Sequence, residues 1–322
     1  MNDAPILTLN DVKQYFSVGG SSLRISKKVV KAVDGVNVSI KKGRTLGLVG
    51  ESGCGKTTLG RMAIGLVRPT SGSVLFDGID INKLNSRSRR ALRKRMQFVF
   101  QDPYGSLNAR MSVGAILREP FDVHHIGTPA ERDERVGQLL EIVGLKPYQA
   151  SRYPHEFSGG QRQRISIARA LAVNPEFIVF DEPVSALDVS VQSQVLNIIV
   201  DLKTRFGLTY LFISHDLSVV KHVSDDICVM YLGSVVEKCG AEEMFKNTLH
   251  PYSKALLSAM PVAKAGGRSE HIPLLGDVPD PIHVPSGCRF HPRCPFAEER
   301  CMTERPELRE YSEGHFVACH VV

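Results

Sequence analysis

The run Gly50-Glu51-Ser52-Gly53-Cys54-Gly55-Lys56-Thr57 constrains this chain most, because it has the G-x-x-x-x-G-K-[ST] spacing of a phosphate-binding loop. Apolar Leu46-Gly47-Leu48-Val49 precedes it and a helix-compatible stretch from Thr58 to Leu66 follows, so the setting is strand, loop, helix. Glycines let backbone N–H groups close around a polyphosphate, and the helix start adds partial positive charge. Lys56 is expected to reach the β- and γ-phosphates, and the Thr57 hydroxyl to ligate Mg²⁺, with Thr58 beside it in the first helical turn. A bare glycine-rich turn is the plainer alternative, and the flanking strand and helix argue against it. The chain is expected to bind a nucleoside triphosphate.

With 322 residues, 43% of them hydrophobic and 23% charged, the chain can bury a large core and hold more than one structural unit. No apolar run approaches the length of a membrane-spanning helix. Met1-Asn2-Asp3-Ala4-Pro5 lacks the basic start and apolar core of a secretory signal, which predicts a cytosolic protein able to dock onto membrane proteins. The net charge of +6 is modest, and six Lys/Arg crowd Arg87 to Arg95. Without interleaved aromatics, that stretch reads as a solvated helix face, and no nucleic-acid partner is expected.

Strand patterns at 6–12 and 35–49 are followed, after the phosphate loop, by a helix and then by strands at Gly72–Gly78 and Met96–Phe100. Ser17 to Ser22 reads as a flexible loop. From Val113 to Ala172 the apolar spacing is helical, as in Val136-Leu139-Leu140-Val143. Strand patterns return at Phe177–Phe180, Tyr210–Ile213 and Asp226–Tyr231. Strands alternating with helices predict an α/β core with a largely parallel sheet and an inserted helical stretch. Beyond Pro261, six prolines between 273 and 295 predict an irregular tail held by something other than a large core.

A phosphate loop alone suits kinases, GTPases, helicases and transporters. Phe177-Ile178-Val179-Phe180-Asp181-Glu182 narrows the choice, being an apolar strand that ends in two carboxylates. Asp181 is placed to hold Mg²⁺, and Glu182 to polarise the water that attacks the γ-phosphate. Ser158-Gly159-Gly160-Gln161, opening a long helix, supplies a second anion site; a plain helix cap at Ser158 is the alternative. At these residues the chain resembles the ATP-binding cassette family, whose signature motif they match, over roughly residues 5 to 260.

The resemblance implies a P-loop, RecA-like α/β core with an antiparallel β subdomain and an inserted helical subdomain. It implies that Gln101 senses Mg²⁺, that Asp188 in Ser185-Ala186-Leu187-Asp188 crosses to a partner subunit, and that His215 contacts the γ-phosphate. Phe16, with Tyr15 as the alternative, falls where the family stacks an aromatic on adenine. Two cassettes of this family meet head to tail, with ATP between Lys56 of one and the Ser158 position of the other. Cys54 is expected to be unreactive.

Gln101–Asn108, Pro183–Gln192 and His250–Leu257 further resemble the ATPases of dipeptide and oligopeptide importers, of the F type, and the likeness includes the tail. This implies a second, often non-identical ATPase subunit, two membrane permease subunits, an external solute-binding protein, and a place at the cytoplasmic face of the membrane. The expected domains are 1–262, with a helical subdomain at about 103–172, and a Cys-rich extension at 263–322. Cys288, Cys294, Cys301 and Cys319 supply four thiolates, enough for a [4Fe–4S] cluster or Zn²⁺. Their spacing lacks tight C-x₂₋₄-C pairs, and the importer ATPases are associated with [4Fe–4S], so the cluster is expected, with zinc or unmetallated cysteines as alternatives. Competing readings are a cassette acting on ribosomes or DNA, an importer ATPase for a metal chelate, and an iron–sulfur redox sensor.

Overall fold

The computed structural model describes residues 4–18, 28–260, 272–274 and 276–322. Most of the loop expected at Ser17 to Ser22, and the boundary expected at 262–263, lie outside them. The chain begins with β1 (Pro5–Val18), β2 (Lys28–Lys41), β3 (Thr45–Val49), α1 (Lys56–Ala63), β4 (Ser71–Phe76) and β5 (Ile79–Asp80). Next come α2 (Ser86–Arg95), β6 (Met96–Val99), α3 (Pro103–Ser106), α4 (Val113–Val123), α5 (Pro129–Ile142) and α6 (Gly159–Leu171). Then follow β7 (Phe177–Asp181), α7 (Val189–Phe206), β8 (Thr209–Ser214), α8 (Leu217–Val223), β9 (Asp226–Tyr231) and β10 (Ser234–Gly240). The last elements are α9 (Ala241–Lys246), α10 (Pro251–Ser258), α11 (Glu299–Thr303), β11 (Arg309–Ser312) and β12 (His315–Val317). They form two compact units, one running to Lys83 and resuming at Ile213, the other Leu84–Phe212.

In the first unit, β2, β1, β4 and β5 make an antiparallel sheet in that order. β1 bulges between Leu9 and Val12, where Asp11 has φ 42°. Gly72 of β4 passes so close to this bulge that a Cβ there would stand 2.3 Å from the Asp11 carbonyl oxygen, so only glycine fits. The sequence placed a loop from Ser17, whereas β1 continues to Val18 by pairing with β2.

A second set of strands in the same unit runs β3, β9, β10, β12, β11. Every residue of β3 is buried, as expected of a strand covered on both faces. Gly47 allows the cover to come close: a Cβ there would lie 2.2 Å from Cγ1 of Val220 on α8. β3 and β9 are parallel, but β9/β10, β10/β12 and β12/β11 are antiparallel, so the sheet is mixed where the sequence predicts a largely parallel one. The cause is the two-residue turn between β9 and β10, where Leu232 (φ 42°) and Gly233 (φ 78°) both take positive φ, as tight hairpins require. The tail is also less irregular than its prolines suggest. It ends in a hairpin whose β12 pairs Val317 with Glu237 and Phe316 with Lys238 of β10.

In the second unit, strand order is β8, β7, β6, with β6 and β7 parallel. Helices α4, α5 and α6 cover the stretch expected to be helical. α5 starts on a capping box in which the Thr128 hydroxyl accepts from the Glu131 amide and the Glu131 carboxylate accepts from the Thr128 amide. The basic stretch forms α2, which buries only Leu92, while Arg95 pairs with Glu176.

Candidate active site

In the first unit the chain leaves β3 through a loop that only glycine can trace. Gly50, Gly53 and Gly55 have φ of 153°, 80° and 106°. A Cβ on Gly50 would lie 2.2 Å from the Met230 carbonyl oxygen, and one on Gly55 would lie 2.0 Å from that of Ala32. At Gly53 there is open space, so there the conformation alone demands glycine. Gly55 is also the N-cap of α1 and brings no capping side chain, a helix start whose natural complement is an anion.

Lys56 is 5% exposed, and its ammonium donates to the carbonyls of Gly50 (2.7 Å) and Glu51 (2.9 Å). These bonds hold the loop as a ring around its own cation. Cys54 is buried beneath it, and burial pushes its thiol up despite the nearby Lys56 charge. Ser52 and Gly53 are exposed at the tip, with Thr57 and Thr58 partly buried in the first turn of α1.

Phe16 and Tyr15, adjacent on β1, have different surroundings. The Tyr15 hydroxyl is bound to Asp34 Oδ1, whereas Phe16 is 41% exposed. His215 is exposed just past β8 in the same unit, next to a turn in which the Asp216 amide donates to Ser214 Oγ at 3.0 Å.

The second unit carries the other candidates. β7 ends at Asp181, which is 2% exposed, and Glu182 turns the chain with φ 46°, a left-handed backbone uncommon for glutamate. That turn presents the carboxylate to Gln101, whose amide Nε2 donates to Glu182 Oε2 at 3.0 Å. Two residues far apart in sequence are thus brought together. Ser158 caps α6: its Oγ accepts from the Gln161 amide (3.4 Å), and Gln161 Oε1 accepts from the Ser158 amide (3.0 Å). Both glycines of the turn serve packing, since a Cβ on Gly160 would stand 2.2 Å from Val191 Cγ1 and one on Gly159 3.3 Å from Leu187 Cδ2. Asp188 is exposed at the start of α7.

The tail cysteines gather in one module. The Cys288 amide donates to the Cys301 carbonyl at 2.8 Å. Burial pushes the Cys288 thiol up to about 11, and the neighbouring Cys301, Cys319 and Cys294 add to the shift. Yet among the described residues no three His, Cys, Asp or Glu side chains stand in a group able to hold a metal ion. The metal-binding group expected at Cys288, Cys294, Cys301 and Cys319 is therefore not formed among the described residues.

Some residues around the loop were not singled out from sequence as site residues. Tyr252 accepts the Glu51 amide proton at 2.9 Å, and Arg293 binds the Glu51 carboxylate. Arg289 and Arg305 converge on Asp34. The placement of Arg289 and Arg293 just inside Cys288 and Cys294 was the available signal.

Comparison with known proteins accords with this geometry. Residues 33–185 match the ABC transporter family, and residues 236–301 the oligopeptide/dipeptide transporter C-terminal region. The chain is 54% identical to the oligopeptide transport ATP-binding protein AppF of Bacillus subtilis (strain 168), covering 99% of this chain and 98% of the relative. It is 49% identical to a putative peptide import ATP-binding protein of Brucella ovis, over 99% of this chain and 98% of that protein. Among solved structures it resembles the dimeric post-hydrolysis state of the ATP-binding cassette MJ0796 bound to ADP and Pi, with TM-score 0.65 and 28% identity over 73% of this chain and 98% of that one.

The molecule is a P-loop ATPase of the cassette type, with a mixed sheet and packed helices. The chain belongs to the ATP-binding cassette transporter family, and within it to the ATP-hydrolysing subunits of oligopeptide and dipeptide importers.

Proposed function

We propose that this chain powers uptake of dipeptides or oligopeptides by binding and hydrolysing ATP between two cassette subunits. The observation that carries the reading is the full-length likeness to peptide-transport ATPases, which extends through the Cys-rich tail. In this reading Gly50, Glu51, Ser52, Gly53, Cys54, Gly55, Lys56, Thr57 and Thr58 wrap the phosphates. Phe16 stacks on adenine; Tyr15 is the weaker choice because Asp34 engages its hydroxyl. Ser158, Gly159, Gly160 and Gln161 complete the partner's site, with Asp188 at the crossing.

Glu182 polarises the attacking water, Gln101 orients it through their hydrogen bond, and His215 contacts the γ-phosphate. Thr57, Gln101 and Asp181 offer the hard oxygen donors that suit Mg²⁺. When bound there, Mg²⁺ would offset the charge of the phosphates. The partner cassette is a different chain, seated with this one on the cytoplasmic face of two permease subunits and served by an external binding protein. Among the described residues no helix is long and apolar enough to cross a membrane.

Cys288, Cys294, Cys301 and Cys319 would hold a [4Fe–4S] cluster, with zinc as the alternative; four cysteines are the donor set either needs, once deprotonated. Visible absorption and iron content of anaerobically purified protein decide between them. The transport reading is tested by co-purifying the tagged chain with integral membrane subunits and assaying peptide uptake in vesicles. Purification with ribosomes, or uptake that continues when Glu182→Gln replaces the parent chain, would refute it.

A further inference from the structure

Glu51, the second residue of the phosphate loop, is held from two directions. Its amide donates to the Tyr252 hydroxyl at 2.9 Å, and its carboxylate takes a forked pair of hydrogen bonds from Arg293, Nη1 to Oε2 at 2.7 Å and Nη2 to Oε1 at 3.2 Å. The same residue's carbonyl receives the Lys56 ammonium, so one side chain of the tail is linked through Glu51 to the cation of the loop.

Arg293 is rigidly seated. Its side chain is 5% exposed, it donates to the Tyr231 hydroxyl at 3.4 Å, and its guanidinium lies 5.9 Å from the Tyr231 ring centre. Tyr231, Tyr252 and Phe290 pack beneath it, with ring centres 4.7 to 5.4 Å apart. The tail holds a second point as well. Arg289 pairs with Asp34, and Arg305 donates to Asp34 Oδ2 (3.3 Å) and to its carbonyl (2.9 Å). Asp34 in turn takes the hydroxyl of Tyr15, the residue before Phe16.

We infer that Arg293 is a positioning residue for ATP binding: through Glu51 it fixes the phosphate loop and cancels a carboxylate charge that would otherwise repel the triphosphate. This rests on the reading of Gly50–Thr57 as the nucleotide loop. The physics has a sign. An unpaired carboxylate one residue into the loop opposes a polyanion, and a loop whose second residue is unanchored loses its preorganisation. Neutralising Glu51 as well removes the first of these costs. Loss of Arg293 alone is therefore worse for binding than loss of both partners, the reverse of what two independent contacts give.

The experiment measures the ATP dissociation constant of the full-length protein, with thermal midpoints recorded for each variant. R293Q is expected to weaken ATP binding about tenfold, and R293Q/E51Q to return most of that loss. R293K, which keeps the charge without the fork, falls between parent and R293Q. K56A is the control. If K56A weakens binding while R293Q stays within about twofold of the parent, or if E51Q adds a further loss to R293Q, the positioning role is overturned. If K56A leaves binding unchanged, the nucleotide-loop reading itself has failed. Should R293Q not fold, R293M compared with R293M/E51Q makes the same test.

Discussion

Glu182 illustrates how much one backbone conformation decides. Its positive φ at the end of β7 turns the carboxylate to Gln101 rather than along the strand. Glu182→Gln is expected to keep ATP binding and to lower turnover at least about a hundredfold, read as phosphate release; near-parental turnover would remove Glu182 from its role. Tyr15 gives a second prediction. Burial first, then the hydrogen bond and negative charge of Asp34, push its hydroxyl up to about 12. A group whose pKa is raised on folding favours the fold while protonated. That contribution is complete below about 10, the ordinary tyrosine value, and is lost as pH rises towards 12. Stability curves at pH 9 to 12 for the parent and Tyr15→Phe should converge at the alkaline end; parallel curves would contradict this.

Elements were legible in sequence where the local pattern and the packing agreed. β3, the phosphate loop and α1 follow from an apolar run, three glycines and a lysine, because the same residues set both conformation and contacts. β12 was not legible. His315-Phe316-Val317 is too short to signal a strand, and its pairing with β10 is settled some eighty residues away in sequence. The Arg293–Glu51 pair was hidden for the same reason, since nothing local ties a tail arginine to the phosphate loop until the chain closes. Packing also fixes a limit on helix design. Gly160→Ala improves intrinsic helix propensity in α6, yet its Cβ would meet Val191 at 2.2 Å. The clash is expected to win, costing about 1–3 kcal/mol in chemical denaturation; a more stable variant would show that α7 yields freely.

For the molecule as a whole, the proposed pairing of cassettes sets the expected behaviour. Glu182→Gln with ATP should sediment as a dimer, alone or with its partner cassette, and return to monomer when ADP replaces ATP. A monomer under both conditions would argue that the Ser158 turn does not complete a neighbour's site. The tail is bound into this picture because Arg289, Arg293 and Arg305 reach back to residues of β2 and the loop after β3.

The hairpin at the end of the chain carries a consequence for solubility. β12 occupies the open side of β10, and β11 beyond it is four residues long, wholly exposed, and bears Arg309 and Glu310. Short charged margins of this kind resist being extended by a neighbour's strand. A chain cut after Met260 would leave the backbone groups of β10 unpaired along that side. It is expected to form aggregates that scatter light at concentrations where the intact chain stays clear.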